Sequence, residues 1–403
     1  MQSPPRVSRS GAIKTRRLES IDFLRGVVMI IMVLDHTRDY FHRDAFLYDP
    51  TDLEHTTVFL FFTRWITHFC APIFAFLAGV SAYLYGARRT RNELSFFLFT
   101  RGLWLLFVEL FIIGFERTFN PSFPYFNLQV IYAIGISMIA LSVIIRLNRS
   151  LILAISVVLI AGHNLLDKVQ VPGDGIQSFL WSLIHEVKTF SFNGITVTVH
   201  YPVLAWIGII SAGYCVGSLY GIGYNPGKRR KLLISLGLGS IAAFMILRSG
   251  NFYGDASHWS VQKNAAFTVL SFLNVTKYPP SLLYILMTLG PALIFLGLAE
   301  RPLNKLTEKI TVFGRVPMFF YLAHILLIHI LALFGAIIQG YQWSSMVLSS
   351  QVNSSPALKG YGFNLTVLYA VWPSVILILY PFCMRFDHYK RSNSSRYRWL
   401  SYL

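Results

Sequence analysis

The feature that most constrains this chain is a series of apolar stretches, each long enough to cross a bilayer, recurring about ten times between short polar connections. In hydrocarbon every backbone N–H and C=O must find a partner within the protein, so stretches of this length fold as helices packed side by side. They lie at 21–40, 60–84, 94–115, 127–146, 150–167, 201–221, 231–248, 279–299, 311–334 and 365–385. Shorter apolar pieces around 176–190 and 265–275 read as interfacial or re-entrant helices. The expected fold is all-α: about ten transmembrane helices in one domain over 19–388, between basic tails at 1–18 and 389–403. Composition agrees, because 54% hydrophobic residues and 13% charged residues leave nothing from which to build a soluble domain.

The net charge of +17 raises the question of nucleic acid, and its placement answers it. Lys and Arg gather in alternate connections: Arg88, Arg89 and Arg91; Arg146 and Arg149; Lys228 to Lys231; Arg301, Lys305 and Lys309. The tails carry Arg6, Arg9, Lys14, Arg16 and Arg17 at one end, and Arg385, Lys390, Arg391, Arg396 and Arg398 at the other. The intervening connections are poor in Lys and Arg, and the one from Asp39 to Glu54 is acidic. This is the positive-inside pattern, and it puts both termini in the cytoplasm. The charge is a topology signal with attraction to anionic lipid, and no nucleic-acid partner is expected. Cys70, Cys215 and Cys383 all fall in apolar stretches and form no disulfide framework. Gly213, Gly217 and Gly221 repeat at four-residue spacing, as in close helix packing. Tyr278-Pro279-Pro280 reads as a helix start.

Polar residues within the apolar stretches are the functional candidates, since a charge near the middle of a span costs about 2.5–3.5 kcal/mol on insertion scales. The first stretch, from Ser20 to Phe41, carries Arg25 near one end and Asp35-His36 near the other. Arg25 and His36 return to within about 20° of one helix face, roughly 16 Å apart along the axis. Arg25, Arg101 and Arg315 lie near the cytoplasmic ends of their stretches, where guanidinium forks suit the phosphates of an anionic ligand. His36, Arg64, His68 and Glu109 sit toward the other side, with His324 near the middle of its stretch. His36 shares a face with Asp39, whereas Asp35 needs a partner from another helix. His42 and His55 lie in the acidic connection, and no HExxH or equivalent spacing argues for a metal.

Arg25, ten residues, then His36 resembles the first-span Arg-x10-His signature of the transmembrane acyltransferase superfamily. SIDFLRG, THFCAPIFAFLAGVSA, KYPPSLLYILMTLGPAL and FGRVPMFFYLAHILLIH extend the likeness to the bacterial branch of the heparan-alpha-glucosaminide N-acetyltransferase-like family. The resemblance implies a multi-pass enzyme of the bacterial inner membrane. Such an enzyme takes an acyl group, usually acetyl from acetyl-CoA, on the cytoplasmic side and delivers it to a hydroxyl or amine of a glycan-type acceptor on the far side. The signature carries over to Arg25 and His36; beside it, the residues themselves make His36 the expected base, oriented by Asp39 or by a carboxylate from another helix such as Glu109, with Asp35 a further catalytic candidate. His68 is a further catalytic candidate. Arg25, Arg101 and Arg315 are expected to hold acyl-CoA. Arg64, Glu109, His324 and His55 are expected at the oxyanion or the acceptor. The competing expectation is a proton-coupled transporter or flippase built on the same intramembrane His, Arg and acidic residues.

Overall fold

A computed structural model of the chain describes residues 9–300, 304–393, 396, 397 and 400, with side chains from Glu19 onward. The side chains of the tail at 1–18, and Arg301 and Arg398, lie outside the described residues. Each apolar stretch carries a helix: Arg9–Phe41, Val58–Gly86, Arg91–Thr118, Val130–Ile144, Arg149–Leu166, Leu204–Tyr220, Pro226–Gly250, Leu282–Leu298, Pro317–Ile338 and Leu365–Asn393. Six of these, 58–86, 91–118, 149–166, 226–250, 317–338 and 365–393, are long and apolar enough to cross a membrane. Helices 130–144, 204–220 and 282–298 are apolar but shorter. Helix starts follow local chemistry. Thr57, Asn148, Asn225 and Ser281 each accept a first-turn N–H, and Thr90 with Glu93 forms a capping box.

The structure departs from the expected run of continuous helices in two places. The first is a small sheet ordered β1-β3-β2, made of β1 (Tyr125–Leu128), β2 (Lys188–Phe192) and β3 (Ile195–Val199). β1 pairs in parallel with β3, and β2 pairs antiparallel with β3. Asn193 and Gly194 link β2 to β3, both at positive φ (48° and 84°), as a type I′ hairpin requires. The apolar piece around 176–190 therefore splits into a helix, Ile176–Ile184, and the start of a strand.

The second departure lies in the ninth stretch. A helix from Lys305 ends at Arg315, Val316 takes φ −125° and ψ 49°, and Pro317 opens a new helix. Proline has no N–H to donate and is pre-shaped for a first turn, so the apolar run breaks there. Arg315 is consequently the last residue of a helix rather than one lying about a turn inside a continuous span.

Small residues set which helices touch. A Cβ on Gly79 would fall on the Ile210 carbonyl, and one on Gly213 on the Phe76 carbonyl, so helices 58–86 and 204–220 meet backbone to backbone. Gly217 faces Tyr83 of the same neighbour, while Gly221 lies beyond the helix end. Gly26 and Gly314 make a second such crossing, against Ile310 and Asp22, which draws the first helix against helix 305–315. That crossing sets Arg25 and Arg315 side by side.

Candidate active site

Two cavities flank the first helix. The larger, of about 420 Å³, is lined by His36 together with Asp35, Arg38, Asp39, Arg64, Arg117, His200, Lys277 and Tyr278. The second, of about 320 Å³, is lined by Arg25, Arg101, Arg315 and Lys390 over an otherwise largely apolar wall that includes Met29, Ala78 and Met318. Phe74 and Val130 line both cavities, so one layer of side chains separates them.

In the His36 cavity Asp35 is the electrostatic hub. Arg64 Nη1 reaches its two oxygens at 3.0 and 2.9 Å, Arg38 Nη1 lies at 2.8 Å and Lys277 Nζ at 4.0 Å. Asp39 is held by Arg38 Nη2 at 2.5 Å. Both neighbouring carboxylates are therefore committed to cations, because a guanidinium is a stronger partner than an imidazole. His36 instead contacts His324, Nδ1 to Nε2, at 2.7 Å. The two rings are within 3° of coplanar, and the edge of Tyr321 packs against each.

In the Arg25 cavity, Arg25 donates to Asp22 at 2.9 Å, to the Gly314 carbonyl at 2.9 Å and to Ser81 Oγ at 3.0 Å. Arg315 pairs with Asp387 at 3.1 Å, and Lys390 donates to the Arg315 carbonyl at 3.3 Å. Arg101 lies over the Phe97 ring at 5.9 Å. Four cations from four helices thus converge on one largely apolar chamber, an arrangement suited to an anionic head with an apolar arm.

A family model described as heparan-alpha-glucosaminide N-acetyltransferase, catalytic, matches residues 17–248, more than half of the 403. The chain belongs to that family. No individual curated protein matches it. Membership implies a transmembrane acetyltransferase. The matched stretch includes Arg25, His36, Arg64, Arg101 and Arg117. Lys277, Arg315, His324 and Lys390 come from the chain beyond it.

Within this acetyltransferase-family fold, the remaining residues singled out from the sequence fall apart spatially. His68 is buried with Nδ1 near the Arg64 and Trp65 carbonyls of its own turn, and its ring is absent from the cavity lining. Glu109 sits in a π-turn, Val108–Ile113, and accepts the Gln129 N–H at 3.3 Å where helix 130–144 begins. It lines a cleft of about 70 Å³ that shares Asp39 and Arg117 with the His36 cavity. His55 is exposed, bonded to Asp52 at 2.7 Å and stacked on Tyr48, outside the cavity lining. His324 lies behind His36 rather than on the cavity wall.

Arg38, Arg117, His200, Lys277, Tyr278 and Lys390 line the cavities without having been singled out as site residues. Lys277-Tyr278 had a signal, the KYPP block before the eighth stretch, and the structure shows what holds it. The Asp255 carboxylate accepts from Thr276 N and Ser281 Oγ at 2.8 Å and from Thr276 Oγ1 at 2.7 Å, while Asn164 accepts from Leu282 N at 2.9 Å. His200, at the end of β3, is pushed down to about 3 by burial and by the positive charges of Lys277, Arg64 and Arg117.

Proposed function

We propose that this protein is an integral-membrane acetyltransferase that takes an acetyl group from acetyl-CoA on the cytoplasmic side and passes it to an amine or hydroxyl of a glycan acceptor on the far side. The observation that carries the reading is the pair of cavities back to back along one helix, a cationic one at Arg25 and a polar one at His36, with Phe74 and Val130 between them. Its setting is a ten-span bundle in a bacterial inner membrane with both termini cytoplasmic, an orientation supported by the alternation of basic connections.

In this reading Arg25, Arg101, Arg315 and Lys390 hold the phosphates of the donor, whose pantetheine arm is long enough to follow the roughly 16 Å from Arg25 to His36. His36 removes the proton from the acceptor as its nitrogen or oxygen bonds to the acetyl carbon. The carbon–sulfur bond then breaks and the thiolate leaves, taking the proton back from His36. A positioned base of this kind typically contributes 10²–10⁴-fold. Arg64 and Tyr278 stand on the same cavity and supply donors for the oxygen that gains charge. Asp35 serves the cations rather than the base, keeping Arg64, Arg38 and Lys277 in one place.

The test is purified protein in nanodiscs with radiolabelled acetyl-CoA and a panel of amino-sugar and glycan acceptors. His36→Ala is expected to abolish transfer and leave donor binding intact, and Arg25→Ala to weaken donor binding. Wild-type protein that neither binds acetyl-CoA nor transfers its label overturns the reading, and one that moves an intact solute without consuming acetyl-CoA overturns it in favour of a transporter.

A further inference from the structure

We infer that His324 is the positioning residue of this site and that it sets the tautomer of His36. The inference rests on the reading of His36 as the base, but the tautomer itself is a property of the protein without substrate. A neutral imidazole has one N–H and one lone pair, so a single fixed contact decides which nitrogen is which. His324 Nδ1 lies 2.8 Å from the carbonyl oxygen of Phe320, one turn earlier on the same helix. A carbonyl only accepts, so the hydrogen is on Nδ1 and the lone pair is on Nε2. That Nε2 lies 2.7 Å from His36 Nδ1, which must therefore be the donor. The lone pair of His36 is left on Nε2, which makes no hydrogen bond among the described residues, on a ring that lines the cavity.

The ring geometry supports a true in-line bond. The centroids are 4.9 Å apart and the planes within 3° of each other, so the rings meet edge to edge. The separation exceeds the 2.7 Å N···N distance by about one ring diameter, which aligns the N–H with the opposing lone pair. The opposite assignment would set the His324 Nδ1 lone pair against the Phe320 carbonyl oxygen inside a fully buried site, where nothing relieves the repulsion. The usual orienting carboxylate is absent because Asp35 and Asp39 are held by Arg64 and Arg38. An imidazole in that role fixes the tautomer without adding a charge to the bundle.

The experiment is two-bond ¹⁵N–¹H correlation spectroscopy of protein labelled with ¹⁵N-histidine, with the His36 signals assigned by their loss in His36→Ala. His36 is expected in the Nδ1–H form in the wild type. His324→Gln, whose side-chain oxygen accepts in place of Nε2, should keep that form. His324→Leu should shift His36 toward the Nε2–H form. In transfer assays His324→Leu should lower kcat by on the order of 10²-fold with KM for acetyl-CoA unchanged, and His324→Gln should recover most of the loss. A wild-type His36 in the Nε2–H form overturns the inference whatever the activity. The Nδ1–H form in a protein that transfers nothing leaves the inference standing and removes the function proposed above. Should His324→Leu fail to fold, the wild-type and His324→Gln spectra decide the matter.

Discussion

Asp35→Asn is the perturbation that the geometry resolves most sharply. The substitution keeps shape and volume and removes one negative charge from the point where Arg64, Arg38 and Lys277 converge at 2.9, 2.8 and 4.0 Å. The side chains concerned are largely out of solvent, at 16% exposure for Asp35, 10% for Arg64, 6% for Arg38 and 7% for Lys277. Arg38 retains Asp39, so the uncompensated charges are those of Arg64 and Lys277. Removing one partner of a buried pair costs about 3–5 kcal/mol, mostly through the charge left behind. Against a total stability of about 5–15 kcal/mol for a typical domain that is a large fraction. The assay is reversible unfolding in mixed micelles of wild type, Asp35→Asn, Arg64→Gln and the double variant. The double variant should recover part of the loss, with a coupling energy of about 0.5–3 kcal/mol. Donor binding at Arg25, roughly 15 Å away along the helix, should stay at the wild-type level. An Asp35→Asn protein as stable as wild type, or a double variant whose loss is the simple sum of the two single ones, refutes the hub.

Three further outcomes are expected. Phe74→Trp, which thickens the wall common to both cavities, should leave acetyl-CoA binding in place and abolish transfer; unchanged transfer in a steady-state assay would count against passage between the cavities. Lys390→Ala should weaken acetyl-CoA binding as Arg25→Ala does, measured by equilibrium binding, whereas Lys228→Ala at an exposed helix start should not. His200, held at about 3 in the fold against 6.5 in the free side chain, binds fewer protons folded than unfolded between those values. Stability should therefore fall as pH drops from about 6.5 toward 3, and His200→Gln should flatten that slope in a pH series of unfolding midpoints.

The positions of the helices were readable from apolar length alone, because a bilayer punishes any other arrangement. What that logic hides is structure inside apolar sequence. KTFSFNGITVTV alternates as a strand does and carries an Asn-Gly turn, yet its neighbours made it look like the end of an interfacial helix. The run through Val316-Pro317 reads as one continuous span, and only the proline marks the break that ends a helix at Arg315. Arg25, Arg101 and Arg315 could be matched by depth, but their meeting in one chamber depends on the Gly26–Gly314 crossing, which no single-helix period encodes. His36 was expected to turn to Asp39 on its own face. Arg38 outcompetes it there, and the partner it takes is 288 residues away.

The wall of Phe74 and Val130 has an electrical consequence. If, as proposed, the two cavities open to opposite faces of the membrane, the septum between them would take most of the membrane voltage, instead of the full bilayer sharing it. Moving one elementary charge through 100 mV costs about 2.3 kcal/mol. In the proposed orientation the phosphates of the donor stop at Arg25 and never enter the steep part of the field, and the acetyl group that crosses it carries no charge. The transfer is therefore expected to run at the same rate in a polarised and a depolarised membrane.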